Sequence, residues 1–222
     1  VRRFVTLFIP LILLPSIAPA DGGRGGVAMT YSFLDLSELN GGLKAGGYPE
    51  LGERLFSVGG GGHAVIGDLI IGGSGWGGVA EAENEGRAAS LRIGGGFFEI
   101  GYLFEFKPFF QLAPVIGIGG VGVTLSLERL EEGRERSLTW EELLENPHLR
   151  KGPAELSGGS FAVKAGLFGR IVKIAFVSIG FECGYLFAPE RVRLYQDDDR
   201  VWGAPELNLS SAYGRILIYF GS

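Results

Sequence analysis

Phe98-Glu99-Ile100-Gly101-Tyr102-Leu103-Phe104 recurs as Phe181-Glu182-Cys183-Gly184-Tyr185-Leu186-Phe187. Successive strand residues point to opposite faces, so each copy sets Phe, an apolar residue, Tyr and Phe on one face and Glu, Gly and Leu on the other. A soluble sheet hides its apolar face and shows its charges, whereas a strand of a small transmembrane β-barrel turns apolar side chains to lipid and keeps ionisable ones inside. The pair of heptads therefore predicts that Phe98, Tyr102, Phe104, Phe181, Tyr185 and Phe187 face lipid and that Glu99 and Glu182 face a lumen.

Other stretches alternate in the same sense. Val27, Met29, Tyr31 and Phe33 alternate with Ala28, Thr30 and Ser32; Phe56 and Val58 flank Ser57; Phe161, Val163, Ala165 and Leu167 alternate with Ser160 and Lys164; Ile216, Ile218 and Phe220 oppose Arg215. Eight strands can be drawn, near 26–34, 54–66, 69–80, 88–106, 109–127, 159–169, 173–187 and 211–220. Gly72 to Gly78 and Gly117 to Gly122 resolve no face. Arg92 shares the parity of Phe98, which requires that it lie above the membrane or that a bulge at Gly94 to Gly96 invert the strand.

Tight turns are expected at Gly67-Asp68, at Lys107-Pro108 and around Arg170 to Val172, with an intermediate connection from Glu81 to Arg87. Long polar segments separate strands one and two, five and six, and seven and eight. This alternation predicts an all-β, antiparallel up-and-down transmembrane barrel of about eight strands, with short periplasmic turns and long outer loops. The loop at about 128–157 is densely charged. In it Thr139 and Glu142 have the spacing of a capping box, which predicts a short helix ending before Pro147. Residues 35–46 predict a further helical turn.

The chain has 222 residues and 39 glycines. Arg2 and Arg3, the apolar stretch from Phe4 to Leu14, and Ala18-Pro19-Ala20 read as a secretory signal peptide over residues 1–20, leaving a single barrel domain over 21–222. Loss of that segment leaves 18 basic against 25 acidic residues, a net charge of −7, which disfavours nucleic acid as a partner. Cys183 is the one cysteine, so no intrachain disulfide can form.

Four side chains carry the candidate site. Glu99, Lys164, Glu182 and Arg215 all have inward parity, and in a lumen just wide enough for side chains such charges must pair. His63 joins them by parity, with Ser57 on the same face. No catalytic constellation, cofactor site or metal site is expected: His63, His148 and Cys183 supply too few zinc ligands. Asp197-Asp198-Asp199 lacks the spacing of a calcium loop and reads as a solvated acidic run. Gly117 to Gly122 has the G-x-G-x-x-G spacing but leads into Val-Thr-Leu-Ser-Leu, a strand, so it is not a nucleotide site.

The mature chain resembles the small bacterial outer-membrane β-barrel proteins of the eight-stranded kind. Tyr213 to Phe220 looks like their C-terminal assembly signal, a glycine before alternating apolar residues and a terminal aromatic, here followed by Gly221 and Ser222. Asp35-Leu-Ser-Glu-Leu-Asn, Gly47-Tyr-Pro and Leu69-Ile-Ile-Gly-Gly are similar to an uncharacterised bacterial family of secreted barrel-like proteins. The expected function is a non-enzymatic barrel with a structural or adhesive role in the outer membrane of a bacterium. Its expected partners are outer-membrane lipid and an extracellular ligand or protein at the long loops, and it is expected to be a monomer. Two alternatives remain: a narrow, porin-like channel or transporter of small solutes, and a soluble secreted barrel carrying an apolar ligand.

Overall fold

A computed structural model describes residues 22–107, 110–129, 154–174, 176–196 and 199–221. In chain order the elements are β1 (Gly22–Asp35), α1 (Ser37–Ala45), β2 (Arg54–Ile66), β3 (Leu69–Asn84), β4 (Arg87–Tyr102), β5 (Phe104–Lys107), β6 (Phe110–Arg129), β7 (Ala154–Ile174), β8 (Val177–Phe187), β9 (Tyr195–Gln196), β10 (Asp199–Arg200) and β11 (Asn208–Gly221). Each long strand pairs antiparallel with its neighbours in the chain. β1 pairs with β11, from Arg24 opposite Gly221 to Asp35 opposite Asn208, so the sheet closes into an eight-stranded barrel. The short β5 continues the β4 edge along β6 past Leu103. Closure pairs each of the eight long strands on both sides through the middle of the barrel, which is what a bilayer interior demands, and open strand edges remain only where the longer strands overrun their partners at the loop end.

Side-chain direction follows the period-two pattern. Val27, Met29, Phe33, Phe56, Val58, Phe98, Ile116, Phe161 and Ile216 are exposed on the outer face, while Thr30, Ser57, Glu99, Lys164, Glu182 and Arg215 are buried. The glycine-rich strands resolve by register: in β3, Ile70, Ser74, Trp76 and Ala80 share the inward parity, and in β6 Val115, Val121 and Val123 do. Gly117 to Gly122 lies wholly within β6, a strand with no phosphate-cradling turn.

Several boundaries depart from the sequence reading. β7 runs through Arg170 to Val172 with a register shift there, so the predicted tight turn is a bulge and the ladder of β7 with β8 continues to Ile174 opposite Val177. β3 and β4 extend until only Glu85-Gly86 separates them, in place of the intermediate connection expected from Glu81 to Arg87; Gly86 adopts φ 92°, which a side chain would resist. β4 pairs without a break from Arg87 to Gly101, so the bulge option at Gly94 to Gly96 falls away. Arg92 is therefore outward, six residues from Phe98 and about 20 Å along the strand toward the loop end. The helix expected at 139–145, Asp197, Asp198, His148 and the signal segment lie outside the described residues.

The strands differ in length, with β6 and β7 at 20 and 21 residues, β3 and β4 at 16, and β8 at 11. The β3-β4-β6-β7 side of the wall consequently stands taller at the loop end. Across that end lies a cap built by α1 and residues 188–196 and 199–207. Asp35 accepts hydrogen bonds from the Ser37 hydroxyl (2.7 Å) and backbone N–H (3.2 Å), which turns the chain into α1. Leu36, Leu39 and Leu43 recur at helical spacing and all point inward. The Asn40 side chain clamps Leu51 through both its N–H and its carbonyl, and a bridge joins Val192 to Leu207.

Candidate functional site

The lumen is stratified. At the loop end, Leu36, Leu39 and Leu43 of the cap, with Val192, Leu194 and Leu207, pack onto Leu55, Leu91, Ile93, Phe97, Val123 and Leu125 of the wall. At the turn end a smaller apolar layer contains Val65, Ile70, Val115, Phe168, Leu217 and Tyr219. Between them lies a charged belt, contributed by β2, β3, β4, β7, β8 and β11.

Glu99 and Glu182 are 0% and 2% exposed, and Lys164 and Arg215 are 4% and 7% exposed, so the four charges are removed from water. Lys164 Nζ lies 2.5 Å from Glu99 Oε1 and 3.1 Å from Glu182 Oε1, bridging both carboxylates. Arg215 donates from Nε (3.0 Å) and Nη2 (2.5 Å) to Glu182 Oε2 and from Nη1 to the Ser74 hydroxyl (3.3 Å). Glu99 also accepts from the Ser74 hydroxyl, and its Oε2 lies 2.9 Å from His63 Nε2. The Tyr213 hydroxyl donates to Glu182 Oε1 at 2.6 Å. Two carboxylates thus meet two basic side chains, with Ser74, His63 and Tyr213 taking further positions on the carboxylate oxygens, the condition under which buried charges are tolerated.

Glycines make this belt possible. A Cβ on Gly166 would stand 2.6 Å from the Tyr213 hydroxyl and 2.9 Å from Glu182 Oε1, and one on Gly117 would stand 2.9 Å from Lys164 Cγ. Such residues let a narrow lumen hold long charged side chains and aromatic rings at one level. The cavities left are small: about 20 Å³ above the belt, between Thr30, Trp76, Tyr213 and Arg215, and about 30 Å³ below it, between Arg24, His63, Phe168 and Tyr219. Each is room for one or two waters.

The five residues singled out from sequence, Glu99, Lys164, Glu182, Arg215 and His63, all meet in this belt. Ser57 does not join His63, because its hydroxyl is directed to the Thr30 carbonyl at 3.4 Å. Sequence reasoning missed Ser74 and Tyr213, which complete the hydrogen bonding; the alternation of β11 could have flagged Tyr213, two residues before Arg215. It also missed both apolar layers: the leucines on the inward face, such as Leu103 and Leu186, pack against residues far along the chain. His63 and Ser74 each bond to Glu99, an arrangement with no serine activated by a base. Among the described residues no cluster of His, Cys, Asp and Glu is placed to hold a metal ion.

No protein-family model matches the chain. No curated protein matches it either. Among solved structures, a major outer membrane protein of Thermus thermophilus aligns with a TM-score of 0.54 at 8% identity, covering 90% of this chain and 99% of that one. Ail, the attachment invasion locus protein of Yersinia pestis, aligns with a TM-score of 0.47 at 11% identity over 90% and 99% of the two chains. OprG of Pseudomonas aeruginosa gives 0.44 at 10% over 90% and 94%. At such identities the likeness is one of fold. The alignment to the Thermus protein, with the inverted faces and the closed ladder, makes this chain a small β-barrel of the outer-membrane type.

Proposed function

We propose that this protein is a sealed, non-enzymatic barrel of the bacterial outer membrane with a structural or adhesive role, meeting its partners at its outer end. The observation that carries this reading is the obstruction of the lumen at successive levels, by the apolar plug under α1 and by the ion-paired belt. An eight-stranded barrel is filled by its own side chains once such groups are placed, so no continuous water column remains. The cap favours a role at the outer surface: Arg191 pairs with Glu38 at 2.6 Å from one outer loop to another, and Arg193 pairs with Glu206 at 3.0 Å within the second of them. Residues 1–20 act in this reading as a removed secretion signal, and the barrel acts as a monomer in outer-membrane lipid. The channel reading requires the plug and belt to part. The soluble carrier is disfavoured by the apolar outer face.

Planar-bilayer recording tests the proposal. The unmutated protein, inserted in defined orientation, is expected to give no stable unitary conductance. Open, ion-selective steps in most insertions would overturn the sealed barrel and leave the narrow channel.

A further inference from the structure

The charges at the turn end of the lumen are not paired as those of the belt are. Arg170, inward on β7 at the turn end, is 5% exposed, yet its Nε and Nη1 take no hydrogen-bond partner among the described residues. A guanidinium withdrawn from water in this state is strongly disfavoured unless an acceptor reaches it. Its register neighbour on β6 is Gln111, itself 3% exposed. From the opposite wall Arg24 of β1 extends Nη1 toward the same Gln111 carbonyl oxygen, at 3.4 Å. That contact is long and weak. The carboxylate in the group, Glu105, accepts from the Gln111 amide and acts on both arginines only at longer range, with no ion pair to either within 4 Å. Two guanidinium groups against one carboxylate leave a surplus positive charge, whereas the belt above is balanced.

We propose that the turn-end mouth of the lumen binds a small oxyanion, a phosphate or a carboxylate, between Arg24 and Arg170. The anion replaces the long Arg24 to Gln111 contact and supplies the acceptor that Arg170 lacks, and the planar fork of each arginine suits a group with several oxygens. Gln111, on the wall between them, keeps its amide on Glu105 and holds that carboxylate aside. The cavity further in, about 30 Å³, admits only water, so the anion stays at the mouth. A phosphate there can come from solution or from the headgroup of an inner-leaflet lipid, and the chemistry is shared.

The test measures thermal unfolding of the folded full barrel in maltoside micelles, which contain no phosphate, with ionic strength held constant by chloride. Titrated inorganic phosphate or acetate is expected to raise the unfolding midpoint to saturation. Arg170→Gln and Arg24→Gln should abolish the response, and Arg191→Gln, on the outer cap, should retain it. Without anion, Arg170→Gln should unfold no earlier than the unmutated chain, because an unpaired buried charge is gone; a structural arginine would give the opposite sign. If Arg170→Gln fails to fold, the half-buried Arg24→Gln carries the test. A second arm compares phospholipid vesicles with vesicles of phosphate-free glycolipid. Stabilisation confined to the phospholipid and lost in the arginine variants assigns the anion to a headgroup; a response in micelles assigns it to a free ion. No arginine-dependent response in either arm, or one that survives both substitutions, overturns the site.

Discussion

At the scale of single residues the belt behaves as one unit, and its members should be unequal in what they tolerate. Glu182 accepts from Arg215 and Tyr213 and pairs with Lys164, so Glu182→Ala leaves Lys164 and Arg215 to share the single carboxylate of Glu99 in a dry lumen. The expected loss is about 3–5 kcal/mol. Equilibrium unfolding in bilayers measures it, with the exposed Glu155→Ala as a reference expected to stay within about 0.5 kcal/mol. Gly166 offers a second probe. Its Cβ would press on the Tyr213 hydroxyl, so Gly166→Ala should cost about 1–3 kcal/mol as an overpacked site. A double-mutant cycle with Tyr213→Phe should show positive coupling, the glycine substitution costing less once the hydroxyl is gone. These residues were legible to different degrees. Glu99, Glu182, Lys164 and Arg215 announced themselves because a charge among apolar alternation has few places to go. Arg24 and Arg170 did not, since each lies where a strand was thought to have ended, and parity has no meaning outside a strand.

At the scale of elements, the alternation of apolar and polar residues located every long strand of the wall, but strand ends and caps depended on information that periodicity lacks. The sequence reading ends β7 at residue 169 because Arg170 to Val172 reads as a turn, whereas the ladder continues through a bulge to Ile174. α1 was foreseen from residues 35–46, yet its role as a plug was not, because the partners of Leu36, Leu39 and Leu43 lie far along the chain at Val192, Leu194 and Leu207. The start of α1 has a measurable pH dependence. Asp35, at the loop end of β1 beyond the apolar band, is held below its ordinary carboxylate range by the hydrogen bonds from the Ser37 hydroxyl and N–H. Because the folded value is depressed, its stabilising contribution is complete above about pH 4 and is lost as pH falls through that lowered value. Hydrogen exchange of the α1 amides should therefore be level between pH 7 and pH 5, after correction for intrinsic rates, and rise below pH 4. Asp35→Asn should remove the part of that rise due to this residue, an effect kept small by full exposure.

At the scale of the whole molecule the faces define the medium. Phe98 is 45% exposed midway along the outer wall, so Phe98→Arg should cost about 2–4 kcal/mol in bilayers, while Glu83→Arg on the tall outer rim should be nearly neutral. Equal tolerance at the two positions would contradict the assigned membrane band. The belt also bears on how the barrel comes into being. Glu99, Lys164, Glu182 and Arg215 arrive on β4, β7, β8 and β11 in order of synthesis, and β11 is the strand that seals against β1. Before the last strand docks, two carboxylates share a single lysine and no guanidinium. At the level of the belt, an array without β11 carries one uncompensated carboxylate, and the arginine that balances it rides on the strand that shuts the seam. Closure of the wall and charge balance of the belt are therefore expected to coincide.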